Sequence, residues 1–245
     1  PNMDLMQKQL ADLAAQSPDR KITPILRAGD EPGTVEVDLK VKDQFPLHGR
    51  IEANGRNTAN TSLLRLVSSL HYDNLWQQLH SASLMYQISP ENADQVDVWA
   101  GTYSIPLDDD TLSFSAIKSS SNSAVTGGGA LSALGKGDNY GVRFSKILPS
   151  NTDFSHTFSV GVNYKNQQQT LNLSDNSANA NTISYLPFTV QYNAVFKEKN
   201  TIGSVNLAAN FAVRGLVSQQ ESFSNKSPSA KANYAYLSAG FSLTH

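Results

Sequence analysis

From residue 47 to the end of the chain, apolar and polar residues exchange places at nearly every second position. Leu47, Gly49, Ile51 and Ala53 alternate with His48, Arg50, Glu52 and Asn54. A period of two sends alternate side chains to opposite sides of an extended strand. The same rhythm groups Leu64, Leu66, Leu70 and Tyr72, then Ala82, Leu84, Tyr86 and Ile88. Val96, Val98 and Ala100 continue it towards Tyr103 and Pro106, with Trp99 breaking the alternation. Leu112, Phe114 and Ala116 follow, then Tyr140, Val142 and Phe144. The clearest run sets Phe154, Phe158, Val160, Val162 and Tyr164 against Ser155, Thr157, Ser159, Gly161 and Asn163. Runs from Leu186 to Phe196, Val205 to Val213 and Ala235 to Leu243 complete a prediction of about ten strands and no helix.

Residues 1–43 read differently. Met3, Met6, Leu10 and Leu13 recur at helical spacing and predict an amphipathic helix over 2–16, stopped at Ser17-Pro18. Residues 21–27 predict a short strand, which Pro24 places at a sheet edge. After the turn residues of 29–33, Val35, Val37, Leu39 and Val41 alternate with Glu36, Asp38, Lys40 and Lys42, predicting a second strand. The stretch 43–56 joins this α+β unit (1–43) to the long β region (44–245). The chain opens on Pro1 without the basic start and apolar block of an export leader, so a piece of a longer protein is expected.

The connections between strands alternate in length. HYDNLWQQLH, PLDDD, LPSNTD and KEKN are compact, whereas 119–139, 166–182 and 215–230 are long and rich in Ser, Asn, Gly and Gln. Strands running up and down would place all the short turns at one end, as in outer-membrane barrels. Tyr72, Trp76, Tyr103, Tyr140, Tyr164 and Tyr185 fall near strand ends, where interfacial aromatic girdles sit. Composition supports this. Only 16% of residues are charged, below the usual quarter, and the polar positions carry Ser, Asn and Thr rather than Lys and Glu. No apolar run approaches the roughly 18 residues of a membrane helix, which excludes a helical membrane protein alone. A soluble β-sandwich shares the alternation but not the strand length. Net charge of -2 offers nothing to nucleic acid. With no cysteine there is no thiolate metal site and no disulfide.

The runs PGTVEVDLKVKDQFPLHGRIEANGRN, LLRLVSSLHYDNLW and SASLMYQISPENADQVDVWAGTYSIPL, and more weakly ANYAY, resemble a known family. They resemble the outer-membrane transporters of two-partner secretion, the haemolysin secretion/activation proteins (TpsB) of the Omp85 superfamily. The resemblance implies periplasmic POTRA domains followed by a barrel of about sixteen strands. Residues 1–43 would then be the C-terminal part of a POTRA domain in the periplasm, and 44–245 would hold the first ten or so barrel strands. The implied function is recognition of a large exoprotein of haemolysin or adhesin type, through its N-terminal secretion domain, and its export through the barrel. Outer-membrane lipid is the other implied partner, and the protein is expected to be monomeric. The rivals are a barrel-assembly insertase of the same superfamily, a passive porin and a soluble β-rich adhesin.

No catalytic constellation is visible, and no cofactor is expected. His48, His71, His80, His156 and His245 show no zinc-type spacing. Residues 129–137, GALSALGKG, miss the phosphate-loop spacing and lack Ser/Thr after Lys136. Asp108, Asp109 and Asp110 read as a solvated turn. Two groups remain as functional candidates. Leu10, Leu13, Ile22 and Ile25 would offer apolar contacts to an extended client added at the edge strand. His48, Arg50, Glu52, Arg65, Arg143 and Arg214 would line a wet lumen. Val213-Arg214-Gly215-Leu216 looks like the lid motif of the family, but Arg214 is read as the polar face of a strand end.

Overall fold

The computed structural model describes residues 19–29, 34–57, 61–120, 136–151, 153–169, 181–217, 220–226 and 229–244. The expected helix over 2–16 and most of the glycine-rich 129–137 lie outside them. β1 (Arg20–Ala28) and β2 (Val35–Asp43) form a separate two-stranded antiparallel sheet. A second sheet of 11 strands holds everything after the joint. Its strands are β3 (Leu47–Asn54), β4 (Arg65–Leu75), β5 (His80–Ile88), β6 (Asp97–Leu107), β7 (Asp110–Ser119), β8 (Gly137–Ile147), β9 (Phe154–Gln169), β10 (Asn181–Tyr185), β11 (Pro187–Glu198), β12 (Thr201–Ala212) and β13 (Tyr234–Thr244).

Between the end strands β3 and β13 the strands follow one another antiparallel in chain order, with β10 and β11 both lying against β9. β10 and β11 are one strand with a break. Tyr185 pairs with Lys165 and Phe188 with Val162, which is the same register on both sides of the gap. Pro187 stands at the break and has no amide hydrogen to give the ladder. The ten strands expected from the alternation are therefore present. β9 and β10 continue the ladder into residues expected as loop, so that hairpin is taller than the alternation alone predicts. A helix was not expected after the joint, yet α1 (Gln220–Lys226) forms in the connection before β13. Gln220 ties its start down, donating to the Ala230 carbonyl at 2.8 Å while accepting from the Ala232 amide at 2.9 Å.

All four compact turns fall at the end of the sheet where the joint enters. Two are two-residue connections, Asp108-Asp109 and Lys199-Asn200, with Asp108 and Lys199 in the left-handed region (φ 55 and 46). The turn after β4 places Asn74, Trp76, Gln77 and Leu79 at positive φ. Asn74 tolerates that conformation, and its side-chain oxygen accepts the Leu79 amide at 3.0 Å. This gives the YDNLW motif a physical role as a turn closed by its own asparagine.

The register assigns every strand residue to one of two faces. Leu47, Ile51, Leu70, Leu84, Trp99, Phe114, Val142, Phe144, Phe158, Val160, Leu207, Phe211, Leu237 and Phe241 lie on one of them and are all exposed. A continuous apolar face over ten strands far exceeds what a water-soluble surface carries. Aromatic pairs mark its ends. Tyr86 stacks on Trp99 (4.1 Å between centroids) and Phe188 on Phe211 (5.4 Å) at the far end, and Phe45 meets Tyr72 edge-on at the joint end. Among the described residues, no helix is long and apolar enough to cross a membrane.

β6 corrects one reading. Trp99 and Tyr103 occupy the exposed apolar face, and Val98 and Ala100 turn to the opposite, mainly polar face. There Val98, Ala100 and Ile117 are buried together with Val96, and Met85 packs against them. The apolar triplet is the inward side of the strand, and the aromatic residue that interrupts the alternation belongs to the outward side.

Gly203 illustrates how tightly the apolar face is packed. It pairs with Phe196, whose ring occupies the space a Cβ would need. Gly203→Val is expected to displace the ring and destabilise the sheet by about 1–3 kcal/mol. Urea unfolding of the full-length protein in lipid vesicles would measure this, and adding Phe196→Ala should recover most of the loss. An unchanged midpoint in the single variant would contradict the packing described.

Candidate functional site

Opposite the apolar face lies a polar one, built by the intervening residue of each strand. Ser83 bonds Thr102 across β5 and β6 at 2.6 Å, and Ser104 bonds Ser113 across β6 and β7 at 3.1 Å. Ser159 donates to Ser145 at 3.0 Å and Thr189 to Asn210 at 2.8 Å. Arg143 reaches from β8 across β9 to the Gln191 side-chain oxygen at 2.9 Å; Gly161, its direct partner on β9, has no side chain to obstruct it. Gln191 passes the chain to Asn193 at 3.1 Å, which also accepts from Asn206. Short hydroxyls and amides thus satisfy one another across strands, leaving a surface that is polar but weakly charged.

The proposed lumen residues fall into different settings. Arg50 and Glu52 pair at 2.7 Å on β3, and Asn54 donates to the same carboxylate at 2.8 Å. Arg143 belongs to the network above. Arg65 points to the polar face by register but is 2% exposed, so it does not line water. Its guanidinium donates to the carbonyls of Ser62 (2.7 Å) and Leu64 (3.0 Å), to Ser89 Oγ (3.0 Å) and to Thr61 Oγ1 (2.7 Å). Arg65 therefore fastens the far-end loops together. Ser89, fully buried, is the serine of the SPE motif, and this bond gives the motif its structural reason. Arg214 stands two residues beyond the end of β12, exposed in a turn, and not on a strand face.

Leu10 and Leu13 lie outside the described residues. Ile22 pairs with Val41 and Ile25 with Asp38, so the two isoleucines face opposite sides of β1 and cannot make one apolar contact. A spacing of three joins residues on a helix but separates them on a strand. The apolar side of this small sheet is Ile22, Pro24 and Leu26 with Val37, Leu39 and Val41. β1 pairs with β2 and with no other described strand.

Sequence spacing also missed the arrangement at the joint. Gln44 donates its amide to the Asp19 carbonyl, and Asp73 donates its amide to the Pro46 carbonyl, both at 2.9 Å. His48 bonds the Asp19 carboxylate at 3.0 Å, and His71, its ladder partner, bonds Asp73 at 2.9 Å. Arg20 pairs with Asp43 at 2.9 Å. Arg20, Asp43, Asn74, Gln77 and Leu79 line a cleft of about 460 Å³ between the small sheet and the β4–β5 turn. On the same turn, Trp76 is 74% exposed. Tyr103, from the YSIPL motif, bonds His80 Nδ1 at 2.6 Å and holds the neighbouring hairpin.

A single antiparallel layer, exposed and apolar on one side and hydrogen-bonded and polar on the other, is the wall of a transmembrane β-barrel. The chain belongs to the family described as haemolysin secretion/activation protein ShlB/FhaC/HecB, whose model matches residues 33–245. These are outer-membrane transporters of two-partner secretion in the Omp85 superfamily. Among solved structures, CdiB from Escherichia coli matches with a TM-score of 0.70 at 13% identity, over 99% of this chain and 45% of that one. BamA from Haemophilus ducreyi lacking POTRA domains 1–3 matches with a TM-score of 0.49 at 13% identity, over 86% and 42%. The chain spans less than half the length of these proteins. A search of curated proteins gave no match. Ten neighbouring strands make part of a barrel wall, and among the described residues the sheet is not closed.

Proposed function

We propose that this chain is the working junction of a translocator that takes an exoprotein from the periplasm and passes it through the barrel. Residues 1–43 are the C-terminal part of a POTRA domain on the periplasmic side, and 44–245 are the adjoining barrel wall. The joint end of the sheet then faces the periplasm, and the far end, with its longer connections, faces outward. The observation that carries this reading is the pairing of a hydrogen-bonded polar face with a small separate sheet docked at its entrance. An unfolded client needs polar surroundings for its backbone while it crosses lipid. Ser, Thr, Asn and Gln supply them without the strong charges that would hold a passing chain. The edge of β1 that no described strand covers suits addition of an extended client strand, with Ile22 and Leu26 presented to one side of it.

In the full-length protein, deletion of residues 1–43 is expected to abolish export of the cognate exoprotein and to leave ion conductance in planar bilayers intact. Undiminished export would overturn client docking at this unit. If instead the deletion stopped insertion of other barrels and spared secretion, an insertase would replace the translocator as the function of the full-length protein.

A further inference from the structure

We propose that Asp19, His48 and Asp73 form a site for a first-row divalent cation, zinc being the best fit, which staples the small sheet to the barrel wall. The three residues come from three elements. Asp19 precedes β1, His48 is on β3 and Asp73 is near the end of β4. One carboxylate oxygen from each aspartate and one imidazole nitrogen lie within 4.8 Å of one another. Bonds of about 2.0–2.2 Å from a tetrahedral zinc ion separate its ligand atoms by roughly 3.3–3.6 Å. Side-chain movements of about an ångström would bring the trio to that spacing.

The surroundings favour occupancy. The backbones of Asp19 and Asp73 are both fixed by hydrogen bonds to the 44–46 linker, to Gln44 and Pro46. A carboxylate only accepts, so His71 Nε2 donates to Asp73 Oδ1, at 2.9 Å, and leaves the other oxygen free for a metal. That is the usual outer-shell support of a ligating carboxylate. The Asp19 side chain is 7% exposed, and the guanidinium of Arg20, the next residue, is committed to Asp43. A divalent ion would neutralise two carboxylates that the joint otherwise holds close together. The His48 side chain is 52% exposed, which leaves room for water as the fourth ligand. One imidazole with two carboxylates suits zinc and its neighbours, whereas calcium and magnesium prefer oxygen alone. The site lies where the two sheets meet, so the ion would set the angle at which the small sheet stands to the barrel mouth.

The test uses the full-length protein in detergent, stripped with chelator and titrated with Zn2+ alone by calorimetry, with elemental analysis after desalting. The wild type is expected to bind one equivalent more than His48→Gln, a variant whose amide still donates to Asp19 and so keeps the joint hydrogen-bonded. Asp73→Asn should lose the same equivalent, and His71→Ala should weaken it about tenfold. His156→Ala should change nothing, since that imidazole is engaged with Tyr192 and the Pro149 carbonyl elsewhere on the wall. Zinc should also raise the unfolding midpoint of the wild type and not that of His48→Gln. Equal zinc content in wild type and His48→Gln overturns the proposal, as does an equivalent lost only in variants that no longer fold.

Discussion

Replacing Arg65 by methionine is expected to destabilise the folded wall by about 3 kcal/mol. Methionine keeps much of the side-chain volume, so packing changes little. What disappears is a guanidinium that donates to the Ser62 and Leu64 carbonyls and to the Ser89 and Thr61 hydroxyls. The site is almost closed to water, and water cannot take over those bonds. An acceptor left unsatisfied in such a place costs about 1–3 kcal/mol. Arg65→Lys should recover only part of the loss, because an ammonium cannot span the four acceptors as a planar fork does. Urea unfolding of the full-length protein in lipid vesicles, with linear extrapolation, measures the difference. A change below about 0.5 kcal/mol would mean that the far-end loops are held by something else.

The second large effect separates the two faces at adjacent residues. Leu84 and Ser83 sit side by side on β5, Leu84 on the apolar face opposite Gly101 and Ser83 on the polar face bonded to Thr102. Leu84→Arg places a charge against lipid and is expected to cost about 2–4 kcal/mol at mid-membrane depth. Ser83→Arg loses one hydroxyl bond but keeps its charge in water, for a cost of about 1 kcal/mol. The same unfolding measurement ranks the two. Comparable losses, or a larger one for Ser83→Arg, would reverse the assignment of lipid and water to the faces.

The strands were legible because a period of two survives wherever one side meets apolar surroundings and the other polar ones. Facing was less so. On β6, Val98 and Ala100 are as apolar as Trp99 and Tyr103, and only the register to β5 and β7 tells which pair looks outward. Ile22 and Ile25 were both expected to offer apolar contacts at the edge strand, but a spacing of three puts them on opposite faces of β1. The burial of Arg65 depends on Ser89, which approaches from a different loop, so no local pattern announces it. α1 is too short to show a periodic stripe. The chemistry at the joint was least visible. Asp19, His48 and Asp73 are far apart along the chain, and only the meeting of two sheets brings them together.

Strand length also bears on the lipid around the protein. β3 has 8 residues and β9 has 16. At about 3.4 Å per residue and a tilt near 40°, these correspond to walls of roughly 21 and 42 Å. The hydrocarbon layer is about 30 Å thick. The bilayer would thin beside the first strand, and the taller β9–β10 pairing would reach beyond it. Lipid would be thinnest and most easily disturbed along the one side of the wall that adjoins the joint.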